Sequence, residues 1–246
     1  MTNGETMMKA KKKPGIGYLR MPLLALAFGA TSAFAGPGRV ASDMVVVVPE
    51  GTAHPAALST QVDAWRKALG PDNVVWVDSL KREKPSGFGS MAVLHFPGQA
   101  QMAAWQQANA AALAAPLQLS IADVMTQGGK PPAAGASPVY KISYYTLNSP
   151  REAMQAWVDG YLTRYLDAQV DNGILTRYAM YLERNAGGRA LLVLEYTDAK
   201  TEQEAEPIKA RLSEDIARAD KEYARQSALK EELRTTQSWT LAIPAH

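Results

Sequence analysis

The sequence predicts an α+β fold made of two successive β-α-β-β-α-β units. Three observations predict it. Short β-branched apolar runs alternate with longer stretches of helical spacing. The same order of six elements occurs on both sides of a Gly/Pro-rich stretch, Gly128–Pro138 (GGKPPAAGASP). Short matches also fall at the same points of each half. Val93-Leu94-His95-Phe96 corresponds to Val193-Leu194-Glu195-Tyr196, and Asp63-Ala64-Trp65 to Gln155-Ala156-Trp157. Ser79-Leu80-Lys81-Arg82-Glu83 is echoed by Tyr181-Leu182-Glu183-Arg184-Asn185.

In the first half, Met44–Val48 is wholly apolar and β-branched, hence a buried strand. Ala56–Leu69 carries Leu58, Val62, Trp65 and Leu69 on one helical stripe and stops at Gly70-Pro71. Asn73–Leu80 is a strand, and a polar turn (Lys81–Ser90) leads into strand Met91–Phe96. Gln99–Ala115 is an Ala-rich helix ended by Pro116, and Leu117–Met125 closes the half as a strand.

In the second half, Val139–Leu147 is a strand. Ser149 is the expected N-cap, with Pro150 at the first helical position and a helix running to about Val170. Asp171-Asn172-Gly173 stops it. Ile174–Arg184 and Arg189–Tyr196 flank a hairpin turn at Asn185–Gly188. One long charged helix is expected from about Thr201 to Arg234, with Pro207 in its first turns, and Gln237–Ile243 is the last strand. Helical connections are expected to give parallel neighbours and the hairpins antiparallel ones. The domains are then 36–127, a linker at 128–138, and 139–246.

This topology is the split βαβ, or ferredoxin-like, arrangement. In tandem it resembles the dimeric α+β barrel superfamily in single-chain form, over nearly all of the chain after residue 35. The resemblance implies two ferredoxin-like sheets packed face to face, with a cavity between sheet and helices. The superfamily holds cofactor-free monooxygenases, haem enzymes, isomerases, dehydratases and proteins without known activity, so the fold chooses no function.

The first 35 residues read as a secretory signal. Lys9, Lys11, Lys12, Lys13 and Arg20 precede the short apolar run Met21–Ala30, and Ala33-Phe34-Ala35 is a cleavage site that leaves Gly36 as the mature start. The expected location is periplasmic or secreted. This segment holds five Lys/Arg against one Glu, so the net +2 of the whole chain becomes 21 Lys/Arg against 23 Asp/Glu afterwards, or −2. These charges are interspersed, which argues against nucleic acid and, once the signal is cleaved, against a membrane surface as partner. Cysteine is absent, which excludes disulfides, a thiol nucleophile and a thiolate metal site.

Strand alternation places Met91, Val93 and His95 on one face and Ala92, Leu94 and Phe96 on the other. It likewise sets Leu191, Val193 and Glu195 against Leu192, Leu194 and Tyr196. The all-apolar faces belong against helices, so His95 and Glu195 face the opposite sheet at pseudo-symmetric positions. His95 is the candidate general base and Glu195 the acid that orients it. The competing reading is a satisfied histidine, with Glu195 paired to an arginine such as Arg177.

Nine of the ten tyrosines follow the linker. Tyr144, Tyr178 and Tyr181 on strands, with Trp157 on a helix, are candidates to line a pocket for a flat organic molecule; the competing reading is an aromatic core. Ile208, Leu212, Ile216, Ala219 and Tyr223 stripe the last helix, whose far end is free to project toward a protein partner or to lie as a solvated face. No phosphate loop, nucleophile elbow or paired-histidine motif occurs, and the three histidines make a multi-histidine metal site unfavoured. Haem ligation by His95 is compatible with the resemblance but not preferred, so no cofactor and no metal is assigned.

Two functions follow. One is binding of a small apolar or aromatic molecule, with cofactor-free proton transfer or oxygenation. The alternative is a non-catalytic periplasmic interaction or scaffold protein that uses its C-terminal helix.

Overall fold

The computed structural model describes residues 42–49, 56–80, 88–113, 116–133, 135–184 and 188–245. The expected signal segment, His54 and most of the turn after Leu80 lie outside the described residues. Among the described residues the strands are β1 (Ser42–Val48), β2 (Val74–Ser79), β3 (Ser90–Phe96), β4 (Gln118–Gly129), β5 (Val139–Leu147), β6 (Leu175–Glu183), β7 (Arg189–Tyr196) and β8 (Arg234–Pro244). The helices are α1 (Ala56–Leu69), α2 (Gln99–Ala108), α3 (Arg151–Trp157), α4 (Thr163–Asp171), α5 (Ala199–Ala219), α6 (Lys221–Ala228) and α7 (Lys230–Leu233). A π-helical turn, Val158–Leu162, joins α3 to α4.

The strands close into one barrel in the order β1-β3-β2-β8-β5-β7-β6-β4. The two sheet halves therefore join edge to edge through β2–β8 and β4–β6, which leaves no free strand edge among the described residues. Every neighbouring pair is antiparallel, which corrects the expectation of parallel neighbours. The helical crossover does return β2 in the direction of β1. The hairpin strand β3 then inserts between them and pairs with both.

Alternation divides the side chains into three clusters. Val45, Val47, Val77, Met91, Val93, Ile142, Leu191 and Val193 fill the barrel interior. Ala92, Leu94 and Phe96 face outward and pack with Leu58, Val62 and Trp65 of α1 and Met102 of α2. Leu192, Leu194 and Tyr196 pack outward against Trp157, Tyr161 and Leu166. Apolar side chains of this kind, once removed from water, supply the main drive for folding, at about 25 cal/mol per Å².

β4 runs past the expected end at Met125, through a bulge between Val124 and Thr126, to Gly129. Gly129 sits at φ 87°, and a Cβ there would lie 2.1 Å from the Thr176 carbonyl oxygen, so only glycine fits. Ser149 does not cap a helix: α3 starts at Arg151 after Pro150, and the Ser149 hydroxyl lies 3.4 Å from the Leu233 carbonyl.

The C-terminal region corrects the expectation of one projecting helix. The helix breaks at Asp220, whose ψ of 108° is extended. Its carboxylate accepts from the backbone N–H groups of Glu222 (2.8 Å) and Tyr223 (3.0 Å), capping α6, and takes a further bond from Arg164 at 2.5 Å. The break folds Tyr223 inward until it is fully buried against Tyr161, ring centroids 4.9 Å apart. Ile208, Leu212 and Ile216 pack on the same core, while Ala219 remains exposed. The chain then enters β8 at Arg234, three residues before the expected strand.

Candidate functional site at one end of the barrel

β3 and β7 lie four places apart around the ring and run in the same direction. His95 and Glu195 are each the next-to-last residue of their strand, so they share one end of the barrel on opposite walls. Each has its own partner there. His95 stands directly across from Asp43 in the β1–β3 register, and its Nδ1 is 2.7 Å from Asp43 Oδ1. The Asp43 side chain is 1% exposed and that of His95 31%, so a buried acid backs an imidazole that reaches solvent. Burial pushes the Asp43 carboxyl up, against the lowering influence of His95, the Phe96 backbone and Tyr181. The Asp43 contact raises His95 above the usual imidazole value, and burial only partly opposes it. The Tyr181 hydroxyl, driven up by burial, is within hydrogen-bonding reach of Asp43.

On the opposite wall Glu195 is 1% exposed and accepts from Arg177 Nε at 2.7 Å. Thr176 also donates to Glu195. The bulge between Leu175 and Arg177 explains how two consecutive residues reach one carboxylate. Tyr140, its pKa raised by burial and by Glu195, completes this group. Burial of Arg177 works against its charge, and Glu195 outweighs that, so its pKa is raised. Arg177 in turn lowers the Tyr181 pKa through its charge, against the dominant effect of burial.

The expected pairing of Glu195 with His95 is therefore replaced. The acid that orients the imidazole is Asp43, because strand register sets it opposite His95, whereas register sets Glu195 opposite Arg177. Asp43 carried a sequence signal: it is the acidic residue at the head of the run Met44–Val48, on the same face as Val45 and Val47.

The four aromatic candidates do not line one pocket. Tyr144 and Tyr181 belong to the barrel interior, where the Tyr144 hydroxyl lies 3.7 Å from the Met91 sulfur. Tyr178 and Trp157 belong to the layer between sheet and helices. There the Tyr178 hydroxyl donates to Asp167 at 2.6 Å, and Trp157 Nε1 donates to the Gln226 carbonyl at 3.0 Å. The odd spacing of 178 and 181 on one strand forces opposite faces. Open clefts among the described residues include one of about 520 Å³ around Asp123, Leu147 and Arg151 and another of about 790 Å³ around Lys130, Pro131 and Asp171. Neither is lined by His95 or by these aromatics.

A titration tests the dyad. In the folded protein His95 should titrate above the ordinary histidine value near 6.5. A raised folded pKa means that the contact stabilises fully below that value, and that its contribution is lost as pH rises through the folded pKa. Asp43→Asn removes the anion and leaves burial, so the His95 pKa should fall. Imidazole NMR signals, assigned with His95→Gln, measure both. An unchanged value in Asp43→Asn would remove Asp43 from the dyad.

The fold is an α+β barrel closed by eight antiparallel strands of a single chain. Among solved structures the chain is similar to an anthrone oxidase-like protein, with 5% identity and a TM-score of 0.51 over 85% of this chain and 93% of that one. It is also similar to a protein of Fusobacterium nucleatum subsp. nucleatum that is provisionally assigned as a monooxygenase, with 9% identity and a TM-score of 0.52 over 84% and 92%. At such identities the likeness is one of fold. No family model matches the chain, and no curated protein matches it in sequence.

Proposed function

We propose that this chain is an exported protein that binds a small apolar or aromatic molecule at the barrel end where His95 and Arg177 reach solvent, and moves a proton there without a cofactor. The contact between buried Asp43 and half-exposed His95 carries this reading. His95 is the base, and Asp43 fixes its tautomer and orientation. Glu195 acts by positioning Arg177, whose guanidinium stabilises the anion left by deprotonation. A base and a cation on facing walls suit a substrate with an acidic C–H or O–H beside an oxygen. The fold shared with an anthrone oxidase-like protein makes small organic molecules the class to test first. The matching order of elements in the two halves supports a duplicated ferredoxin-like unit as its origin.

Native mass spectrometry of the protein purified from its exporting host tests this. The expected result is a chain beginning at Gly36, with a bound mass that is released on denaturation and lost or left unconverted in His95→Gln. A chain that retains residues 1–35 would overturn export. An unliganded mass, with His95→Gln indistinguishable from wild type, would overturn the site.

A further inference from the structure

Arg234, the first residue of β8, is buried, and its Nε and Nη1 have no hydrogen-bond partner among the described residues. The other arginines there all donate. Arg66, Arg151, Arg164, Arg177, Arg184, Arg189, Arg218 and Arg225 reach carboxylates, and Arg211 a carbonyl. Arg234 instead lies on aromatic faces, its guanidinium carbon 3.7 Å from the Tyr145 ring centroid and 5.1 Å from that of Trp157. Cation–π contacts offset only part of the penalty for taking a guanidinium out of water. A folded chain that keeps such a group without a counter-ion is poised to receive one.

Access is at hand. The strand partner of Arg234 is Leu147, which lines the 520 Å³ cleft together with Ser149, Arg151 and Arg184. At this mouth Arg151 and Arg184 share the single carboxylate of Asp123, and Glu183 beside them is bound by Arg189.

We infer that Arg234 anchors the carboxylate of a small aromatic or apolar acid that enters from this cleft into the layer between the barrel and the second-half helices. The fork of the guanidinium matches the two oxygens of a carboxylate. The apolar surroundings favour a monoanion over a phosphate dianion. This site is separate from the barrel-end site and does not rest on its activity.

Thermal unfolding and tryptophan fluorescence of the full chain, with sodium benzoate, benzyl alcohol and inorganic phosphate as probes, test the inference. Benzoate should raise the melting temperature and change the tryptophan emission, while benzyl alcohol does neither. Arg234→Met should be more stable than wild type without benzoate, since an unpaired buried charge has been removed, and should lose the benzoate shift. Arg234→Lys keeps a charge but lacks the fork, and should show a weaker shift. A wild type indifferent to millimolar benzoate, a lower melting temperature with an intact benzoate shift in Arg234→Met, or a response to phosphate in place of benzoate would each overturn it.

Discussion

Replacing Glu195 with Ala should lower the unfolding free energy by about 3–5 kcal/mol, the range for removing one partner of a buried ion pair. The carboxylate is almost wholly buried, and Arg177, Thr176 and Tyr140 all direct donors at it. Without it these donors lose their acceptor, and Arg177 loses the charge that outweighs its burial. The 23% exposure of the Arg177 side chain lets its head turn toward water, which sets the expected loss at the lower end of that range. A double variant, Glu195→Leu with Arg177→Met, removes both charges and should recover much of the loss. Urea unfolding measures both variants. A single-variant loss below about 1 kcal/mol would mean that the pair is solvated.

The fold was legible where local pattern suffices. Period-2 alternation in Met91–Phe96 and Arg189–Tyr196 correctly separated inward from helix-facing side chains. It put His95 inward because that parity is a local property. Partner choice is not local. That His95 meets Asp43 is decided by the β1–β3 register across more than fifty residues, and that Glu195 meets Arg177 by a bulge in β6 that no single-strand pattern encodes. The break at Asp220 was hidden for another reason. Ile216 and Tyr223 keep helical spacing through it, and an aspartate reads equally well as a polar surface residue or as the cap of a new helix. The early start of β8 was hidden by Arg234-Thr-Thr-Gln, too polar for a core strand but suited to one whose residues 235–237 face solvent. Trp157 and Tyr181 were grouped by residue type, and only the closed sheet shows that they lie on opposite sides of it.

Trp157→Ala should have a comparable effect, a loss of about 3–5 kcal/mol. The indole is fully buried at the end of α3, where the π-helical turn begins. Its ring packs on Tyr161 at 5.2 Å between centroids, and its N–H binds the Gln226 carbonyl of α6. It therefore ties the interrupted helix to the helical pair folded back across it, and it supports Arg234 from one side. Truncation opens a cavity, removes one of the two donors to the Gln226 carbonyl, which keeps the Leu229 N–H, and withdraws part of the cation–π support, and these effects act in the same direction. Trp157→Phe separates them. It keeps an aromatic ring but loses the N–H donor and part of the indole's area, so its loss should be about 1–3 kcal/mol. Equilibrium unfolding of the two variants gives the ring and the hydrogen bond their separate shares. Equal losses would assign the whole effect to the Gln226 contact, and with it the hold of α6 on the barrel. A small loss in both would mean that the layer between sheet and helices repacks around the missing ring.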